Sequence, residues 1–268
     1  MGVAGTFIDG GAGRILVVSY APERPTDRCV LVVPAFAEEM NKSRRLVHDT
    51  GVALQRRGIC TLVPDLYGTG DSEGDFADAR WEIWIEDLRR TVGWARERGA
   101  ARFGVLVVRY GMALLLAAAK HMDVVFERGV AWQPTMSGST VLRHLLRMKV
   151  MAARMAGEAV PSADALRESL LNGTEPLEVG GYLLSPQLAS AMLAAESASG
   201  PPTIVRHGLA IDFDASSASR SADGDAGDTG SAQWRTHSLA GERFWMATEP
   251  GPNPALIECT AAFLGEAA

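Results

Sequence analysis

The segment Phe103 to Lys120 constrains the rest of the chain more than any other. Val105-Leu106-Val107-Val108 is a continuous apolar run, mostly β-branched, which is the pattern of a strand covered on both faces of a parallel sheet. Arg109 and Tyr110 interrupt it, and Gly111 then leads straight into Met112 to Ala119, where every residue is apolar. At helical spacing that composition requires a helix with protein on nearly all sides. A buried strand that turns at once into a buried helix is the central crossover of an α/β sheet, and Gly111 suits the close helix-to-strand contact such a turn demands.

The flanking segments extend this pattern. Gly10-Gly11-Ala12-Gly13 and Pro22 to Asp27 bracket a strand at Arg14 to Tyr20, so the chain opens with antiparallel hairpin strands. Cys29 to Val33 is a strand, Pro34 to Ser43 reads as a charged loop, and Arg44 to Arg57 has helical spacing, with Ser43 as N-cap and Gly58 as stop. With the strand Ile59 to Val63 these form a βαβ unit. The stretch Pro64 to Gly74 is too rich in glycine and aspartate for regular structure, whereas Trp81 to Arg98 is an amphipathic helix with Trp81, Trp84, Ile85, Leu88, Val92 and Ala95 on one face.

After a strand at Val124 to Ala131 and Trp132-Gln133-Pro134, residues 135–198 carry helical patterns at Leu142 to Met155, Ala163 to Leu171 and Pro186 to Ala198, with a brief hairpin at Gly180 to Leu184. They read either as a lid inserted over the carboxyl ends of the sheet or as helices covering one of its faces. The strand pattern resumes from Pro201 to Gly208, residues 213–232 are expected to form a low-complexity Ser/Ala/Gly/Asp loop, and Gln233 to Ser238 and Pro254 to Leu264 supply a last strand and helix. The whole is expected to be a single domain.

Composition limits the partners. The chain has 268 residues, 47% of them hydrophobic and 22% charged, with a formal net charge of -6, which argues against nucleic acid as a ligand. The clusters Lys42-Ser43-Arg44-Arg45 and Arg56-Arg57 read as solvated helix faces. Cys29, Cys60 and Cys259 show no C-x-x-C spacing and are expected to be free thiols. Residues 1–13 lack the pattern of a signal peptide and no uncharged apolar run is long enough to span a membrane, so a cytoplasmic protein is expected. Metal-site and P-loop motifs are absent, and no cofactor is expected.

Two motifs carry a family resemblance. Asp65-Leu66-Tyr67-Gly68-Thr69-Gly70-Asp71-Ser72 resembles the D-x-x-G-x-G-x-S loop after the fourth strand of the α/β-hydrolase superfamily, and Pro202 to Asp212 resembles the strand that leads to its triad acid. The order of elements is similar to that superfamily over nearly the whole chain. The resemblance implies the α/β-hydrolase fold, a mostly parallel central sheet flanked by helices with a helical lid at 135–198. More narrowly, Pro34-Ala35-Phe36-Ala37-Glu38-Glu39-Met40-Asn41-Lys42-Ser43-Arg44-Arg45, Trp132-Gln133-Pro134 and Phe244-Trp245 resemble the bacterial exosortase A system-associated hydrolase 2 family. That likeness implies a cytoplasmic protein encoded among exopolysaccharide-biosynthesis and protein-sorting genes, a hydrolase by name.

The catalytic triad does not follow. In the G-x-S-x-G nucleophile elbow of these hydrolases, the five positions here read Val107-Val108-Arg109-Tyr110-Gly111, and an arginine can neither be deprotonated nor attack a carbonyl. Glu242 stands near the histidine position after the last strand. Asp212 is a candidate acid, His237 is the nearest histidine by sequence, and Ser72, Ser137 and Ser139 are weak nucleophile candidates. Ordinary Ser-His-Asp hydrolysis is not expected.

Arg109 has two other readings. It is either paired internally with Glu38 or Glu39, because an unpaired buried guanidinium is costly, or it binds the carboxylate, sulfate or phosphate of a ligand with help from Asn41, Lys42 and Gln133. With Tyr110, these residues make up the expected cleft. The two function classes are a non-catalytic binding or scaffold protein, with an anionic or glycan-linked ligand, and an unorthodox hydrolase of an ester or glycan-linked substrate in which Glu38 or Glu39 activates water.

Overall fold

The computed structural model describes residues 2–195, 203–214 and 233–266. An eight-stranded sheet runs through it: β1 (Gly2–Asp9), β2 (Arg14–Ala21), β3 (Arg28–Val33), β4 (Cys60–Pro64), β5 (Arg102–Val108), β6 (Phe126–Trp132), β9 (Val205–Asp214) and β10 (Gln233–Ala240). Their order in space is β1-β2-β4-β3-β5-β6-β9-β10. The first two strands form the expected antiparallel hairpin, β2 pairs antiparallel with β4, and all later pairs are parallel. Parallel pairing needs crossovers, and the amphipathic segments between strands supply them. Val105 to Val108 on β5 are fully buried at the middle of the sheet, as their unbroken apolar run requires.

The helices divide between the faces. On one side, α1 (Glu38–Arg56) and α7 (Pro254–Gly265) enclose Leu46, Val47, Leu54, Leu256 and Leu264 against Val30, Val32, Leu106 and Val130. On the other, α2 (Trp81–Arg96) and α3 (Gly111–Ala118) cover Leu31, Val33, Val105 and Val107. The apolar residues of α4 (Gly138–Met155), α5 (Ala163–Asn172) and α6 (Pro186–Ala195) join this second core, with a small hairpin of β7 (Leu177–Val179) and β8 (Tyr182–Leu184) between α5 and α6.

One boundary differs from the sequence reading. The charged segment after β3 is not a loop, because α1 begins at Glu38 rather than Arg44. Glu38 and Glu39 occupy its first turn, where carboxylates favour the positive end of the helix dipole. Ser43 is therefore no N-cap: it is buried inside the helix and its hydroxyl donates to the Met40 carbonyl at 2.9 Å. Gly58 does end the helix, at φ 76, in the left-handed conformation that lets Ile59 N–H reach back to the Leu54 carbonyl. The end of the 186–198 helical pattern and the low-complexity stretch beyond residue 214 lie outside the described residues.

Candidate functional site

Among the described residues three non-glycine positions take a positive φ: Ala37 at 54°, Arg109 at 54° and Gln133 at 40°. They follow β3, β5 and β6, which are neighbours in the sheet, so strained backbone gathers at the carboxyl ends of the three central strands. Strain of this kind costs about 1–3 kcal/mol per residue and persists only where its surroundings enforce it. At Arg109 the enforcement is visible: its N–H donates to the Trp132 carbonyl at 3.0 Å, and its own carbonyl accepts from Thr135 N and Met112 N, each at 3.2 Å. Gly111 completes the turn. A Cβ there would lie 2.7 Å from the carbonyl oxygens of both Val33 and Pro34, so only glycine lets α3 start so near the end of β3.

The Arg109 side chain is clamped on several sides. Its Nε and Nη2 donate to Glu39 Oε2 and Oε1 at 3.2 and 3.1 Å, and its Nη1 donates to the Gln133 carbonyl at 2.9 Å. Trp245 lies beneath the guanidinium, 4.3 Å from Cζ to ring centroid. Both members of the ion pair are only 14% exposed. A planar fork answered by two carboxylate oxygens, with an aromatic face below, is the arrangement in which arginine is held best. Three of its five N–H donors are used among the described residues, leaving one on each Nη.

The other expected cleft residues surround this pair without sharing it. Glu38 turns to Lys42 at 3.8 Å, so Glu39 is the glutamate that neutralises Arg109. Lys42 donates to the Trp245 carbonyl at 3.4 Å, which ties α1 to the segment that covers the arginine. Asn41 donates to the Tyr182 hydroxyl at 2.7 Å. Burial raises the Tyr182 phenol above its usual range, with the nearby Glu38 charge adding to the shift and the Asn41 bond opposing it. The Gln133 side chain accepts from Phe213 N–H at 2.7 Å. Tyr110 is buried, its ring against Phe36 and Trp81 and its hydroxyl donating to the Met192 carbonyl at 2.9 Å, so it anchors α6 and does not line an open cleft.

The weaker candidates are dispersed. Ser72 donates to the Asp65 carbonyl and accepts from Leu16 N–H, which makes it a brace of the glycine-rich loop. Ser137 caps α4 through Thr140 N–H and contacts Ser139. Asp212 is half-buried on β9, its carboxyl raised by desolvation. His237 pairs across β10 with Ile211, so the pleat directs Asp212, one residue later on β9, to the opposite face. All five histidines fall within the described residues, and their one side-chain hydrogen bond there joins His48 to Tyr20. No Ser-His hydrogen bond joins the described residues.

Glu242 is exposed, and the carboxylate bonded to Arg109 is that of Glu39. The residue that the segment after β10 brings against the Arg109 guanidinium is Trp245, packed edge to face against Phe213 and Phe244, which in turn meets Trp132. Sequence spacing gave this tryptophan no role at the site; its signals were its part in the Phe244-Trp245 family resemblance and its place in the stretch where a triad would supply histidine. Among the described residues no cluster of His, Cys, Asp or Glu could hold a metal ion, and no helix is long and apolar enough to cross a membrane.

No protein-family model matches the chain, and no curated protein matches it. Solved structures do. The esterase Est1E from Butyrivibrio proteoclasticus, with ferulic acid bound, superposes with a TM-score of 0.67 at 16% identity, over 97% of this chain and 96% of its own. A proline iminopeptidase from Mycobacterium smegmatis gives 0.53 at 14% identity over 97% of each chain. An α/β serine hydrolase homologue from Coxiella burnetii gives 0.52 at 11% identity over 99% of this chain and 97% of that one. The fold is that of the α/β hydrolases, a mostly parallel sheet between two helical layers.

Proposed function

We propose that this protein is a non-catalytic binding or scaffold member of the α/β-hydrolase group, cytoplasmic and working alongside exopolysaccharide production, as the likeness to exosortase A system-associated hydrolases implies. The observation that carries the reading is the state of the elbow. Where a serine nucleophile would stand, Arg109 is bonded to both oxygens of Glu39, and where a histidine would approach, Trp245 covers the guanidinium. Both oxygens of Glu39 are turned to the guanidinium, whereas a general base must aim one at the water it activates, which disfavours the unorthodox hydrolase. The remaining Nη donors leave one edge for a ligand anion such as a sugar carboxylate, and the helices of residues 138–195 serve as a lid above it.

The test is a serine-hydrolase screen of the wild type and Arg109→Ser, using short-chain p-nitrophenyl esters and a fluorophosphonate probe. Neither protein is expected to turn over ester or take up the probe, because Arg109→Ser would still face Trp245 instead of a histidine. Labelling of the wild type would overturn the reading and direct peptide mapping to Ser72, Ser137 and Ser139. Titration calorimetry with simple uronates addresses the ligand edge: binding by the wild type that Arg109→Met abolishes supports an anion site, and binding that survives the substitution excludes Arg109 from it.

A further inference from the structure

At the other end of the sheet, Cys29 of β3 and Cys60 of β4 are directly paired in parallel register. Cys29 and its strand neighbour Leu31 face the α2 side, as do Cys60 and Leu62, so the two thiols lie on the same face of neighbouring strands. Adjacent strands lie about 4.8 Å apart, inside the roughly 4.4–6.8 Å Cα separation that a disulfide spans. Cys29 is buried, whereas Cys60 is partly exposed in a cavity of about 270 Å³. That cavity is lined by Trp94 of α2 and by Arg24, Arg28 and Arg98, with no carboxylate on its walls. Arg28 is occupied by the carbonyls of Leu264, Gly265 and Glu266, and Arg98 lies over the Trp94 ring with Glu97 3.8 Å from its Nη1, so Arg24 supplies most of the positive charge at the mouth.

We propose that Cys29 and Cys60 form a dithiol site that reacts with small anionic disulfides of the glutathione type and closes to an intramolecular disulfide between β3 and β4. Interaction with the neighbouring Cys29 thiol lowers the Cys60 thiol below its ordinary range, while Cys60 and burial raise Cys29, so Cys60, which is also the more exposed, is the first to attack. Its thiolate attacks one sulfur of the disulfide, the S–S bond breaks, and one glutathione leaves as thiolate to take up the proton that Cys60 lost. Cys29, its register partner on β3, then attacks the Cys60 sulfur of the mixed disulfide, and the second glutathione leaves with the Cys29 proton. Two thiols are oxidised by two electrons and glutathione disulfide is reduced to two glutathiones. Neither step uses Arg109 or any residue beside it.

The experiment is intact-mass spectrometry and thiol counting on full-length Cys259→Ser, which keeps both strand cysteines, after incubation with glutathione disulfide. The expected product is a monomer lighter by two hydrogen atoms, carrying no glutathione and no titratable thiol, and reverting with dithiothreitol. Adding Cys29→Ala should stop the reaction at the mixed disulfide, and adding Cys60→Ser should leave Cys29 unreacted. An uncharged disulfide at the same concentration should react several-fold more slowly. Retention of both thiols by Cys259→Ser, or glutathione permanently attached to it, would overturn the proposal. The decision rests on that parent protein, so a folding defect in either further variant does not blur it.

Discussion

Arg109 and Glu39 show what a buried charge requires. Either side chain alone, at 14% exposure, would lose most of its hydration, and a partner removed from a buried pair leaves that loss uncompensated. Glu39→Gln keeps the shape but replaces one acceptor oxygen with a donor group facing the guanidinium. It should lower unfolding stability in urea by about 2–4 kcal/mol. Arg109→Met in the Glu39→Gln background removes the stranded cation and should recover at least about 1 kcal/mol, so the double-mutant cycle reports a coupled pair. Additive single effects would mean that the ion pair is formed but energetically idle. The pairing also separates two glutamates that are equivalent by sequence: on the first turn of α1, Glu39 reaches the arginine, while Glu38, at the adjacent position, reaches Lys42.

Among the elements, α2 and α3 make different use of glycine. In α2, a Cβ on Gly93 would meet nothing within 4 Å, so the residue only adds flexibility to a helix. Gly93→Ala should stabilise the protein by about 0.5–1 kcal/mol. In α3, Gly111 abuts the carbonyls of Val33 and Pro34, and Gly111→Ala must push the helix off the end of β3 for a loss of about 1–3 kcal/mol. Thermal melts of the two variants should shift in opposite directions, and a neutral Gly111→Ala would show that the crossover tolerates the displacement. Gly51 of α1 is a similar contact, its missing Cβ facing the Tyr20 ring at 2.8 Å, and it sets how closely α1 lies on β2.

For the whole molecule, Asp87 links parts far apart in the chain. Fully buried on α2, it accepts from Gly11 N–H in the first hairpin turn at 2.7 Å and from Tyr67 N–H in the glycine-rich loop at 2.8 Å. Desolvation raises its carboxyl above the usual range despite these two bonds. The folded state therefore holds the proton more tightly than the unfolded one, and the contribution of Asp87 to stability falls as pH rises upward from the ordinary carboxylate range, then levels off. Asp87→Asn cannot accept from both N–H groups and should cost about 1–3 kcal/mol. In urea unfolding at several pH values its deficit against the wild type should be largest in acid and narrow as the pH rises. A deficit independent of pH would place the same pKa in both states. At the far side of the sheet, the Trp132 indole donates to Thr260 at 2.9 Å and fastens α7 to β6.

Local pattern determined the sheet, its central crossover and the arginine at the elbow position, because a buried strand and a buried helix leave unbroken apolar runs and because residue identity is read directly from the sequence. The D-x-x-G-x-G-x-S loop was legible for a similar reason: Gly68 and Gly70 take positive φ, where glycine is the residue that fits. The start of α1 was not, since a dense run of charge looks like a loop until the helix dipole and the Arg109 contact give Glu38 and Glu39 a reason to be helical. Only the tertiary structure could choose Glu39 over Glu38, bring Trp245 under the guanidinium from 136 residues along the chain, and set Cys29 against Cys60. Each of these is a contact between residues distant in sequence, decided by strand register and loop path, and none of the three leaves a periodicity in the sequence to be read.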